Sequence, residues 1–553
     1  MHSPSALYFW ATMLLLEGGS MAQDCVPLPL SMGINNVTLP SGQSRRGISI
    51  KVGTPEQELS FLPRWGNNNT FIYGPKCDND GKAASCQTWR GGFYDPSKSS
   101  TKGATAMDYK PLVEPFNEDT YNIITETISW SEDLTLNKFP IARPKNTSTW
   151  DLQGYSPQNL IGMDSGSTIM EALKNAGRIA SKSFSFWWGL DGVEAKDQKG
   201  GSFVLGGYDR AKALGDGLTT QLSNYASCST GMVVSILDMV LNFPNGTDVS
   251  IFDDDNGGTA LQACIVPDLP NVMAMPYDPY FTNLGLAIDN FEDGRSMGID
   301  FWNVVLDPDR DIYGGDLTFK LGGSLDITIP NRQLIVPERT INDKGEIVTN
   351  SSRPVIRINS LQQISKNAFP SLGRYFLTAA YVVTNRDAGE FTIYQANPTS
   401  SEDLVALGED NKSINAQATC TVAPTASADP GEGDGKDSNS NNSNNDSNND
   451  SNENTGNSPN EANSGLSTGA VAGIAVGICV PVIAGVAFLV WWLMKRKNAK
   501  AAAEQHHYQS TAAYMSSPSE PKNGYPTQGV PHYIPQEMSA DNQPKQAPFE
   551  MPG

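Results

Sequence analysis

The chain has 553 residues and a net charge of −21, long enough to bury a large core and to hold two lobes or more. The acidic balance argues against a nucleic-acid partner, because phosphate binding needs a basic patch. All four histidines, His2, His506, His507 and His532, lie outside residues 23–469, which removes Ser-His-Asp, Cys-His and His-ligated zinc chemistry from that stretch. No metal or other cofactor is expected.

Residues 1–22 read as a secretory signal: the apolar run Ala6 to Leu16 is too short to span a bilayer well, and Ser20-Met21-Ala22 offers small residues for cleavage. Residues 25–47 read as a lead-in with Pro, Ser and the sequon Asn36-Val37-Thr38. Apolar residues then alternate at Ile48, Ile50 and Val52, break at Gly53-Thr54-Pro55, and resume at Leu59 and Phe61. This predicts two β-strands joined by a tight turn, with Pro55 in the turn because it cannot donate to a sheet ladder. Short β-patterned runs follow, such as Ile123–Ile128, with a helical stretch near Thr168–Gly177 and hairpin strands at Leu317–Phe319 and Ile327–Ile329.

Residues 421–468 shift to Ser, Asn, Asp and Gly, which leaves no apolar face and predicts a disordered stalk. Residues 470–494 are mostly apolar, long enough for a transmembrane helix, and Lys495-Arg496-Lys497 follow at once. The positive-inside rule then puts the tail, 495–553, in the cytoplasm, as in a single-pass type I protein of the cell surface or an endomembrane. Gly469, Gly473 and Gly477 fall at four-residue spacing, which would let two such helices approach closely in a homodimer.

Five separated passages carry a family resemblance. They are Gly53-Thr54-Pro55-Glu56-Gln57, Phe93–Thr101, Asn159-Leu160-Ile161-Gly162-Met163, Gly201–Asp209, and Ser371–Leu377 with Tyr381-Val382-Val383. Together they resemble the pepsin-like aspartic peptidases, and with the stalk they look most like fungal, membrane-anchored members. The resemblance covers residues 45–400 and implies an all-β, bilobal fold with a central cleft, its lobes at 45–215 and 216–400 within an ectodomain of 23–420.

Six cysteines, Cys25, Cys77, Cys86, Cys228, Cys264 and Cys420, precede the apolar run, an even number that suggests disulfides in an exported region. Cys77–Cys86 is the expected pair by short loop and by resemblance. The other four allow three pairings, of which Cys228–Cys264 and Cys25–Cys420 are the expected set. Sequons begin at Asn36, Asn68, Asn146, Asn245, Asn350 and Asn411. Asn68 falls where the resemblance puts the cleft floor.

An aspartic peptidase needs two carboxylates sharing one proton, one ionised to activate water and the other donating a hydrogen bond. In register with the family, those positions hold Arg64, within Pro63-Arg64-Trp65-Gly66, and Pro267, within Cys264-Ile265-Val266-Pro267-Asp268. Proline cannot exchange a proton and arginine stays charged. Further acids of the family are replaced by Arg374 and Asn385. The remaining candidate acids are Asp268 and Asp164, the latter in Asp164-Ser165-Gly166-Ser167-Thr168, which reads equally as a helix N-cap. An Arg64–Asp268 ion pair across the lobes, within ~4 Å, is the expected replacement for the acid pair. The chain thus reads as a pseudopeptidase, a surface binding or sensing module for a peptide or glycan. The rival expectation is an active endopeptidase using Asp268 or Asp164.

Overall fold

The computed structural model describes residues 26–75, 83–105, 121–131, 134–145, 157–252, 260–290, 292–361, 368–414, 419–420 and 426–427. The signal segment, Cys25, Cys77, Asn146, the stalk, the apolar run 470–494 with its glycines, and the tail lie outside the described residues. Among the described residues no helix is long and apolar enough to cross a membrane.

The architecture is mostly β. Strands Ser44–Val52 and Gln57–Arg64 pair antiparallel across the Gly53–Pro55 turn, with Val52 opposite Gln57 and Ile48 opposite Phe61. Their alternating residues Ile48, Ile50, Val52, Leu59 and Phe61 are all buried, as a period of two requires when one face meets a core. Leu30–Thr38, expected as a lead-in, is a nine-residue strand. It buries Met32, Ile34 and Val37, and Asn35-Asn36 interrupts its alternation.

That strand is central to the larger sheet. It pairs on one side with Ser44–Val52 and on the other with Gly201–Leu205. The order continues through Ser183–Trp187 to Ala380–Asn385 and Glu390–Ala396. Strands from the far end of the domain thus complete the sheet begun by its first strands. A second sheet is built from Val233–Asn242, Leu261–Ile265, Met273–Pro276, the hairpin Asp316–Leu321 and Leu325–Ile329, Ile358–Leu361 and Ser371–Leu372. The expected hairpin at 317–329 is therefore present.

Trp65 lies in the core, edge-on to Phe184 at 5.6 Å and Phe186 at 5.4 Å. Cys228 and Cys264 form a disulfide with Cα atoms 5.5 Å apart, the pairing expected. Cys86 is also disulfide-bonded. The ladder Val26–Thr419 and Pro27–Cys420 brings together the two backbone stretches that Cys25–Cys420 would tie.

Candidate active site

Two strands deliver the residues in question, and each does so with the same construction. Gln57–Arg64 runs parallel to Asn159–Gly162, Arg64 opposite Gly162. Leu261–Ile265 runs parallel to Ser371–Leu372, Ile265 opposite Leu372. Each first strand ends in a loop, Trp65–Thr70 or Val266–Asn271, and each loop lies against a glycine. A Cβ on Gly162 would come within 2.5 Å of the Asn68 carbonyl, and one on Gly373 within 2.5 Å of the Leu269 carbonyl oxygen. Only glycine permits that approach of backbone to backbone.

The loops converge. Arg64, Pro267, Asp268 and Arg374 line one cavity, walled by Leu62, Leu160, Phe186 and Trp188, with space of about 10 Å³, room for about one water. Arg64 is half-buried at this cavity, whereas Arg374 is only 6% exposed. The positions read as degenerate are therefore brought face to face.

Asp268 is 8% exposed. The Trp65 backbone amide donates to its carboxylate, while Oδ1 has no hydrogen-bond partner. Burial pushes its pKa up, and the charges of Arg64 and Arg374 only partly offset that. Arg64 thus acts on Asp268 by its charge, as the expected ion pair requires, while the described hydrogen bond to the carboxylate comes from Trp65. Arg374 donates from Nη2 to the Asp268 carbonyl oxygen and lies 5.3 Å over the Trp188 ring. Arg46 lies 5.1 Å from the same ring and donates to the Trp188 carbonyl at 2.7 Å.

Asp164 serves a different purpose. Its amide donates to the Asn67 carbonyl at 2.8 Å, and its Oδ1 accepts from Ser165 N at 2.7 Å. Ser167, two residues past Ser165, caps the helix Thr168–Asn175, accepting from Met170 N. Gly166 N donates to Asn68 Oδ1 at 2.9 Å. The Asp-Ser-Gly-Ser motif is thus strapped to the loop after Arg64, and Asp164 is not among the described residues lining the cavity.

The sequon asparagines differ in access. Asn36, Asn245 and Asn350 are exposed. Asn68 is half-buried and its sequon threonine, Thr70, is buried. Asn411 Nδ2 donates to Glu390 Oε2 at 3.0 Å.

One buried cluster gave no signal in the sequence. Asp191 and Asp300 share Arg339 at 2.8 Å each, and Arg357 reaches Asp300 at 3.0 Å while its guanidinium lies 3.7 Å over Tyr375. Asp191 belongs to the first half of the chain and its partners to the second. Among the described residues no group of His, Cys, Asp or Glu is placed to hold a metal.

Residues 47–241 match the family model of the eukaryotic aspartyl proteases. Over 240 residues the chain is 25% identical to secreted aspartic protease 9 of Candida albicans, covering 43% of this chain and 38% of that protein. It is 22% identical over 382 residues to the probable aspartic-type endopeptidase opsB of Aspergillus fumigatus, covering 66% of this chain and 72% of that one. Against aspartic proteinase yapsin-3 of Saccharomyces cerevisiae it is 26% identical over 210 residues, 35% of this chain and 39% of that one. The matched stretch is thus about two fifths of the length of secreted aspartic protease 9 and of yapsin-3. Among solved structures, the aspartic proteinase from Irpex lacteus superposes with a TM-score of 0.43 at 15% identity, covering 68% of this chain and all of that one. Matched in its first half by the family model and along much of its length by fungal relatives, the chain belongs to the pepsin-like aspartic peptidase family.

Proposed function

We propose that this domain is a non-hydrolysing member of the family, an exported and membrane-anchored pseudopeptidase that holds a ligand in its cleft. The observation that carries this reading is the cavity between the two loops, where Arg64 and Pro267 stand at the strand ends and Asp268 is the one carboxylate of the lining. Hydrolysis by a shared-proton pair needs two acids within reach of one water. A guanidinium cannot take up a proton and a proline ring has none to give. Asp268 is held by the Trp65 amide, which suits a tie between loops better than a base.

The test is digestion of a denatured protein at acid pH by the purified full-length chain, with and without pepstatin. The expected result is no pepstatin-sensitive cleavage. Cleavage lost in Asp164→Ala or Asp268→Ala, each with an unchanged melting temperature, would overturn the reading.

A second reading, peptidase activity through Asp268, is favoured by one observation. Its carboxyl is buried and its pKa raised, as suits a general acid. The relatives' names, which include two proteases and an endopeptidase, point the same way.

A surface location is supported by the secreted relative, and by the sequence pattern at 1–22 and 470–497. Protection of a C-terminal epitope from protease on intact cells, with loss of the outer domain, is the outcome expected for a type I anchor.

A further inference from the structure

We infer that the cavity between Arg64 and Asp268 receives a carboxylate from a peptide ligand, an acidic side chain or a C-terminus, and this rests on the binding reading above.

Three observations carry it. The cavity lining holds two guanidiniums, Arg64 and Arg374, against one carboxylate. Arg374 is fixed before any ligand arrives, because it stacks on Trp188 and is bonded to the Asp268 carbonyl. A donor held in place costs little reorganisation when an anion approaches. Arg64, in contrast, is half-buried at the same cavity, where its long arm can close over a guest.

The balance of charge is unusual for this chain. The protein carries −21 overall, yet the floor of its cleft is cationic. Burial also disfavours the ionised form of Asp268, the one group that would repel an anion. The size is restrictive: about 10 Å³ admits one oxygen-sized group and no side chain. The inner carboxylate oxygen would take that space and the outer one would meet Arg64. Leu62, Leu160, Phe186 and Trp188 supply apolar walls for the neighbouring carbon atoms.

The experiment is fluorescence polarisation with the full-length chain in detergent, using labelled decapeptides of one apolar sequence. One carries a free C-terminal carboxylate, one a C-terminal amide, one an internal Asp with the amide end, and one Asn at that place. Each is checked by mass spectrometry after incubation. A carboxylate-bearing peptide is expected to bind about tenfold or more tightly than its uncharged partner, the scale of one buried charge-assisted bond. Comparison of the terminal and internal arms identifies which carboxylate is taken. In Arg64→Gln the preference should vanish, and in Arg64→Lys part should return. Equal binding of charged and uncharged peptides, or binding to none, overturns the inference, and neither outcome depends on how a variant folds. Cleaved peptides would instead sink the non-hydrolysing reading, whether or not the charge preference held.

Discussion

The backbone amide of Trp65 donates to the carboxylate of Asp268, so the loop after Arg64 and the loop after Pro267 are joined across the cavity they form. One side chain of the second half thereby sets the position of the first loop. Asp268 also offers its carbonyl to Arg374, which connects the same point to Trp188.

Substitution of Asp268 should separate its two roles. Asp268→Ala leaves the Trp65 amide without an acceptor in a buried place and should cost about 1–3 kcal/mol. Asp268→Asn keeps an acceptor and should cost little at neutral pH. The pKa of Asp268 is raised on folding, so its contribution to stability is greatest below the ordinary value of 3.8 and is lost as pH rises through the raised value. Asp268→Asn should therefore gain on the wild type as pH climbs from 3 to 7, by thermal melts across that range.

The buried cluster around Arg339 gives the opposite sign. Asp300 is fully buried, and although burial alone would raise its pKa, Arg339 and Arg357 hold it below the ordinary value of 3.8. Its contribution is present above 3.8 and is lost as pH falls through the lower folded value. Asp300→Ala leaves two buried guanidiniums without a partner and should destabilise by about 3–5 kcal/mol at pH 6. The deficit should shrink below pH 3, where the wild type has also lost the pair. Denaturant melts at both pH values check this.

The glycines of the site should respond unequally. Gly162→Ala and Gly373→Ala each drive a methyl into loop backbone at 2.5 Å, and should cost about 1–3 kcal/mol. Gly66→Ala, with nothing within 4 Å of its Cβ, should be tolerated. This is the reverse of what motif matching suggests, since Gly66 is the residue shared with the family's first active-site loop. Melting temperatures of the three variants decide it.

The Cys228–Cys264 bond closes a span of 36 residues. Its removal by the paired Cys→Ser change should cost about 3–4 kcal/mol through the freedom returned to the unfolded chain. Denaturant midpoints with and without reductant would reveal a smaller effect if the unfolded state keeps local structure there.

Local pattern was readable and tertiary placement was not. Alternation at Ile48, Ile50, Val52, Leu59 and Phe61 announces two strands, because a period of two is a property of adjacent residues. Leu30–Thr38 hid because Asn35-Asn36 breaks its alternation and its partner Gly201–Leu205 lies far along the chain. The facing of Arg64 and Asp268 could be read through register with a known family. The Trp65 tie could not, since a backbone amide has no signature in sequence. Asp191, Asp300, Arg339 and Arg357 sit in separate segments, where each reads as an ordinary surface charge.

Turnover of internally quenched peptides by the full-length chain, followed from pH 3 to 7 beside Asp268→Asn, bears most directly on the cleft chemistry. The account predicts fluorescence gain equal to the buffer blank at every pH for both proteins. A bell-shaped or acid-rising rate in the wild type that is lost in Asp268→Asn would contradict it.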